Sequence, residues 1–202
     1  MISGLACGQP KTRNKTMTDE KFILDATAGF RMMWFDKNQE NTVYLDKRND
    51  EQIRKDAEDF GNNRGRKLFK TLDRKNPTVE GNFCKTPYSD ESFRLIVWDP
   101  PHLIGSNSRR FQQGLTFGVL QAETWQSELT HGFLELWRLL KPYGVLIFKW
   151  HDSSLDYKRI LKLFHTKPLF GQITSNRYPK SAKKTRHTFW FCFMKIPEEV
   201  RG

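Results

Sequence analysis

The chain has 202 residues, with 34 lysines and arginines against 23 acidic residues, a formal net charge of +11. That length suits one domain with a proper core, and the basic surplus favours a polyanionic partner: DNA, RNA or an anionic surface. Cys7, Cys84 and Cys192 are odd in number and share no close spacing, which argues for a reducing compartment and against a disulfide framework or zinc site; no apolar stretch approaches membrane-spanning length, so no membrane partner is expected.

Residues Met1 to about Asp19 are polar and unpatterned and read as a disordered tail or an upstream extension, Met17 being a second candidate start. Residues 20–196 read as a single domain, and 197–202 as a short tail. Lys21–Asp25 is a short buried strand ending in an acid. Ala26, Thr27, Ala28 and Gly29 follow. Small side chains at a strand's carboxyl end let a ligand lie against the backbone, and Gly29 permits a sharp turn. Phe30 to about Lys37 is expected to be a short helix whose aromatic and methionine side chains serve the core.

Asn41–Asp46 is a second strand, again ending in an acid. An acid about 20 residues beyond the first glycine turn is placed to bind ribose hydroxyls; otherwise Asp46 is a helix cap or turn residue. Asp50 to about Phe60 has helical spacing through Ile53, Ala57 and Phe60. Residues 61–75 are basic and rich in Gly and Asn, an exposed loop or short helix that either meets phosphate or is simply solvated. Val79–Phe83 reads as a short third strand, with Asn82 near the same crevice.

Phe93–Trp98 is an apolar buried strand that runs into Asp99-Pro100-Pro101-His102. In open α/β sheets, ligands bind just outside the carboxyl ends of strands. Two prolines fix φ and offer carbonyls without N–H donors. The corner can therefore present the Asp99 carboxylate and the bare Pro100 carbonyl to one point, a pair of acceptors suited to an NH2 group, with His102 ready to stack on a flat ring. The plainer alternative is a Pro-Pro turn with Asp99 capping the next segment.

Leu103 to about Thr124 is long, carries Gly105, Gly114, Gly118 and the pair Arg109-Arg110, and is expected to act as a lid. Glu128–Leu140 is the clearest helix, with Leu129, Phe133, Leu136, Trp137 and Leu140 on one face, and Lys141-Pro142-Tyr143-Gly144 stops it. Val145–Phe148 is the next buried strand, leading into Lys149-Trp150-His151-Asp152. A helix follows at about Ser154–Phe164, then a weak strand at Pro168–Ile173. The loop Asn176–His187 carries Arg177, Lys180, Lys183, Lys184 and Arg186 and no acid. Thr188–Met194 is a strongly apolar final strand, expected to insert between or beside earlier ones. The alternation predicts an α/β domain with a mainly parallel sheet and a closing antiparallel C-terminal hairpin.

Taken together, Ile23–Gly29, Leu45-Asp46, Asp99-Pro100-Pro101-His102 and Trp137–Gly144 resemble motifs of class I S-adenosylmethionine-dependent methyltransferases. The D-P-P-H tetrapeptide is similar to the signature of enzymes that methylate the exocyclic amino group of adenine or cytosine, and the compact layout looks closest to small methyltransferases encoded by phages and prophages. The resemblance implies a Rossmann-like fold, S-adenosylmethionine as cofactor, and a location in the cytoplasm, that of the host if phage-encoded. It implies that Asp25 and the Ala26-Thr27-Ala28-Gly29 turn hold the methionine end of the cofactor. Asp46 would take the ribose hydroxyls, and Asn82 and Phe83 would meet the adenine. Asp99, Pro100, Pro101 and His102 would form the catalytic corner. Arg109, Arg110, Arg177, Lys180, Lys183, Lys184 and Arg186 would contact nucleic acid, DNA in preference to RNA. The chain departs from the family in having one glycine at the cofactor turn, followed by bulky Phe30 and Arg31. It also has Asn82 where many members carry an acid, and shows no separate target-recognition domain.

Three functions stay open on sequence alone: methylation of a base amine, methylation of a protein amide or small molecule, and a non-catalytic nucleic-acid-binding module on the same fold. D-P-P corners also serve glutamine methylation, so it is the net charge that favours the first. The single turn glycine is the main support for the third.

Overall fold

The computed structural model describes residues 21–60, 76–105, 112–172 and 187–200. The expected N-terminal tail, the basic 61–75 stretch, Arg109, Arg110 and the lysine-rich loop (Arg177, Lys180, Lys183, Lys184, Arg186) lie outside the described residues.

Among the described residues, seven strands form one sheet: β1 (Ile23–Asp25), β2 (Thr42–Asp46), β3 (Val79–Glu80), β4 (Phe93–Trp98), β5 (Leu140–His151), β6 (Phe170–Gly171) and β7 (Thr188–Met194). Their order across the sheet is β3-β2-β1-β4-β5-β7-β6. The first five are parallel, while β7 runs antiparallel to β5 and β6 antiparallel to β7. This is the doubly wound, Rossmann-like order 3-2-1-4-5, closed by the expected antiparallel hairpin. The chain winds outward one way from β1 to β3 and the other way from β4, so the switch point lies between β1 and β4.

The apolar runs become strands because both faces are at least partly covered. Along β5 the buried positions alternate, and Leu146, Phe148 and Trp150 are fully buried on one face. Among the described residues, four α-helices join the strands: α1 (Asp50–Phe60), α2 (Gln112–Phe117), α3 (Trp125–Leu139) and α4 (Tyr157–Leu161). Asn49 caps α1 by accepting from the Gln52 N–H at 2.9 Å, and Asp156 caps α4 by accepting from the Lys158 N–H at 2.7 Å. The stripe Leu129, Phe133, Leu136 of α3 is buried against an aromatic core in which the Phe133 and Phe164 rings stack 4.2 Å apart. Lys141–Gly144 do end the helix, but they bulge within a strand: the pairing jumps from Phe93–Leu140 to Leu95–Val145. Tyr143 there has φ 60°, in the left-handed region.

Two expected elements are replaced. The helix at Phe30–Lys37 is a chain of turns. Arg31 adopts φ 51°, which no α-helix accommodates, and its buried guanidinium donates to the carbonyls of Lys37 and Asn76 at 2.6 Å while lying 3.7 Å over the Tyr44 ring. Side-chain anchoring overrides helical propensity here. The third strand stops at Glu80 instead of reaching Phe83, because Asn82 makes a tight turn, its Oδ1 accepting from the Cys84 N–H at 3.0 Å. The expected Ser154–Phe164 helix is present as the shorter α4, and the weak strand as the two-residue β6.

Candidate active site

A cavity of about 720 Å³ lies outside the carboxyl ends of β1, β2, β4 and β5, at the switch point of the sheet. Its floor is the turn Ala26–Gly29. The backbone of that turn ties both neighbouring strands together: the Ala26 N–H donates to the Val97 carbonyl at 2.9 Å, and the Ala28 N–H to the Leu45 carbonyl at 2.8 Å. Gly29 has φ 48° and donates its N–H to Asp46 Oδ2 at 2.8 Å; the other oxygen of Asp46 accepts from the Arg48 N–H at 2.9 Å. Asp46 also lines the cavity.

Asn82 and Phe83 form the far wall, as expected, with Glu128 beside them. The Phe83 ring rests on Gly132 of α3, where a Cβ would come within 2.6 Å of two ring carbons. The described part of the segment expected as a lid lines the cavity through α2 and residues 118–120. It is docked: the Arg48 guanidinium donates to the Leu115 carbonyl at 3.1 Å, and Gly105 and Leu103 exchange backbone hydrogen bonds with Leu120 at 3.0 and 2.9 Å.

Asp25 sits under the turn and does not line the cavity. Its carboxyl is fully buried, accepting from Trp34 Nε1 at 2.7 Å and from the Thr27 N–H at 3.2 Å. Burial pushes it up to about 7 against these hydrogen bonds. Its place is that of an internal brace for the turn, not a group open to a ligand.

Asp99 does face the cavity. Its N–H donates to the Thr27 hydroxyl at 2.9 Å, fixing the corner to the floor. Its Oδ2 is 2.5 Å from Lys149 Nζ, in an ion pair whose side chains are 15% and 23% exposed. Burial raises the Asp99 carboxyl above its ordinary value, and Lys149 opposes that rise. Sequence reasoning gave Lys149 no role. The signal was a lone cation ending the apolar run of β5, the strand beside the D-P-P corner. Lys149 Nζ also lies 5.6 Å from the ring centre of Trp190, its partner across the β5–β7 ladder.

Among the rest of the corner, Pro101 lines the cavity and Pro100 is buried. His102 does not line it. Its ring lies between His151 and Phe117, with centres 5.1 and 6.2 Å away, and its Nε2 is buried with no hydrogen-bond partner among the described residues. Burial, then His151 and Lys149, lower it to about 4, so the imidazole is neutral near pH 7. The aromatic residues that line the cavity are Phe30, Phe83, Phe117 and Trp190.

No protein-family model matches this chain, and no curated protein matches it. Among solved structures it is similar to a protein from Pyrococcus horikoshii OT3 (15% identity, 91% of this chain and 85% of that one, TM-score 0.48). It is similar as well to an S-adenosylmethionine-dependent methyltransferase from Methanosarcina mazei (13% identity, 89% and 94%, TM-score 0.48). A third is an S-adenosylmethionine-dependent methyltransferase from Leishmania major (11% identity, 86% and 64%, TM-score 0.44). Similarity at this level assigns neither reaction nor substrate. Among the described residues, no helix is long and apolar enough to cross a membrane.

Proposed function

We propose that this chain is an S-adenosylmethionine-dependent methyltransferase acting on the exocyclic amino group of a nucleic-acid base, adenine N6 or cytosine N4, with DNA the preferred polymer. One observation carries the reading: Asp46 and Asp99, at the ends of the strands on either side of β1, open into one cavity floored by Ala26–Gly29.

The donor set fits that cofactor. Asp46 is an acceptor for a ribose diol, Phe83 offers an apolar face for a purine, and the small turn lets a ligand lie against the backbone. The volume of about 720 Å³ lies within the usual range for cofactor sites. When bound, the cofactor supplies an electrophilic methyl carbon on a sulfonium sulfur. The residues of this chain do the rest. An aryl amine is a poor nucleophile because its lone pair is delocalised into the ring. Asp99 Oδ1 accepts one N–H of that amine and draws the nitrogen into line; positioning of this kind supplies much of a methyl transfer's rate. As nitrogen gains a carbon it must shed a proton, and Asp99, made more basic by burial, is the base within reach. The net charge of +11 supports a polyanionic substrate, with Arg109, Arg110, Arg177, Lys180, Lys183, Lys184 and Arg186 proposed as its phosphate contacts.

A second reading, methylation of a protein side-chain amide, draws on the Asp99–Lys149 pair, since an amide also carries an NH2 beside an acceptor. Calorimetry with S-adenosylmethionine, followed by tritiated methyl transfer onto DNA, RNA and protein fractions, tests both. Label in nucleic acid upholds the first reading and label confined to protein the second. Absence of cofactor binding overturns both and leaves a non-catalytic module.

A further inference from the structure

Three adjacent strands deliver a row of side chains to the cavity. Asp99 follows β4. Lys149 lies next to it on β5, because Trp98 and Phe148 pair one step earlier. Trp190 lies opposite Lys149 on β7. All three line the cavity. Carboxylate, ammonium and indole thus stand in order across the sheet.

Trp190 is out of character for its strand. Cys192, the next residue on the same face of the strand, is buried at 7% exposure, whereas Trp190 is 41% exposed. A large indole left in water forgoes such burial. It stands beside a lysine whose head group turns to Asp99 instead of to water. His102, which sequence reasoning gave the stacking role, is packed away from the cavity.

We propose that Asp99, Lys149 and Trp190 form the element that recognises the substrate, and that its ligand is an unpaired nucleobase with an amino group beside a ring-nitrogen acceptor. The proposal rests on the methyltransferase reading above and names the residues that select its substrate. Lys149 occupies one oxygen of Asp99 and leaves Oδ1 for the amino group. An ammonium has three donors. One goes to Asp99, and another is directed to the acceptor next to the amine, N1 of adenine or N3 of cytosine. A primary amide satisfies the same couple, but it has no face to lay on Trp190. The indole therefore tips selection toward a flat ring. Because the amine and its neighbour belong to the Watson–Crick edge, the base must arrive single-stranded or flipped from its duplex.

The test uses the full chain and short single-stranded oligonucleotides holding one adenine or one cytosine. Trp190→Ala should lower kcat/KM on the order of ten- to a hundredfold, the usual worth of one stacked base, with calorimetric affinity for S-adenosylhomocysteine unchanged; Trp190→Phe should recover most of the loss. Replacing adenine by 1-deazaadenine, which lacks only the ring acceptor, should slow the parent enzyme, and Lys149→Met should erase that discrimination. If the parent methylates bases and Trp190→Ala matches it, the inference is overturned while the methyltransferase reading stands. It is overturned in the same way if 1-deazaadenine reacts as adenine does in the parent. If the parent methylates only protein amides, or fails to bind cofactor, both the base reading and this inference fall.

Discussion

The Gly29 N–H donates to Asp46 Oδ2 at 2.8 Å, so the turn that ends β1 is buttoned to the acid that ends β2. One carboxylate thereby shapes the cavity floor and lines the cavity in which we propose that it meets the ribose of the cofactor.

Asp46→Ala removes both roles and should weaken S-adenosylmethionine binding by roughly 1–3 kcal/mol. Asp46→Asn keeps an acceptor for Gly29 and should lose less. Calorimetry is the measurement, and an unchanged affinity in Asp46→Ala would remove this residue from the site.

Asp99→Ala should abolish methyl transfer while cofactor binding survives, because the ribose-side residues are elsewhere. It also strands the Lys149 ammonium without its partner, so a lower melting temperature is expected alongside. Asp99→Asn retains an amide oxygen and should keep a small residual rate. Full activity in Asp99→Ala would sink the proposed mechanism.

Gly132→Ala is a test of the far wall made from behind. A Cβ there meets the Phe83 ring at 2.6 Å, so the ring must shift. Cofactor affinity should fall by about tenfold, close to ~1.4 kcal/mol, although Gly132 itself touches nothing in the cavity. Affinity equal to the parent would show that Phe83 is not a ligand face.

Asp25 predicts a pH dependence of stability. Its pKa is raised from 3.8 to about 7 in the folded state, so the folded protein holds a proton that the unfolded chain releases. This contribution is fully favourable below about pH 4 and is lost as pH rises toward 7, with a limiting slope of about 1.4 kcal/mol per pH unit. Asp25→Asn keeps an acceptor for Trp34 and cannot ionise. Urea titrations at pH 5 and pH 8 should therefore show the variant gaining on the parent at the higher pH. A constant difference between the two would mean that Asp25 does not titrate in that window.

His102→Phe should fold and retain most activity, since the ring is packed between His151 and Phe117 and is already neutral above about pH 4. A rate profile in the parent that follows an imidazole near pH 6.5, lost in His102→Phe, would instead make His102 a general base.

Much of the sheet was legible because its strands are continuous apolar runs ending in acids or turn residues: β1, β2, β4 and β7 stand within a residue or two of expectation, while β5 runs beyond its expected bounds at both ends. The helical spacing of Leu129, Phe133 and Leu136 gave α3 in the same way. What failed was local structure set by distant partners. Arg31 is drawn out of a helix by carbonyls at Lys37 and Asn76 and by the Tyr44 ring. At the site, composition and order pointed to Asp46, Asn82, Phe83 and Asp99. Asp25 and His102 have the right identities, but their side chains turn into the protein, which depends on what packs over them. Lys149 and Trp190 were missed because their meeting depends on the β5–β7 register.

The position of β7 has a consequence for synthesis. It fills the slot between β5 and β6, yet residues 188–194 leave the ribosome after every other strand among the described residues. Until then the apolar edge of β5 at Leu146, Phe148 and Trp150 has no partner on that side, an open template for a neighbouring chain. The nascent protein must carry this open edge from the synthesis of β5 until that of β7, and translational arrest before Thr188 would yield a product with no Trp190 and an unpaired seam. A pulse-chase with protease at successive lengths should find protection arriving in one late step.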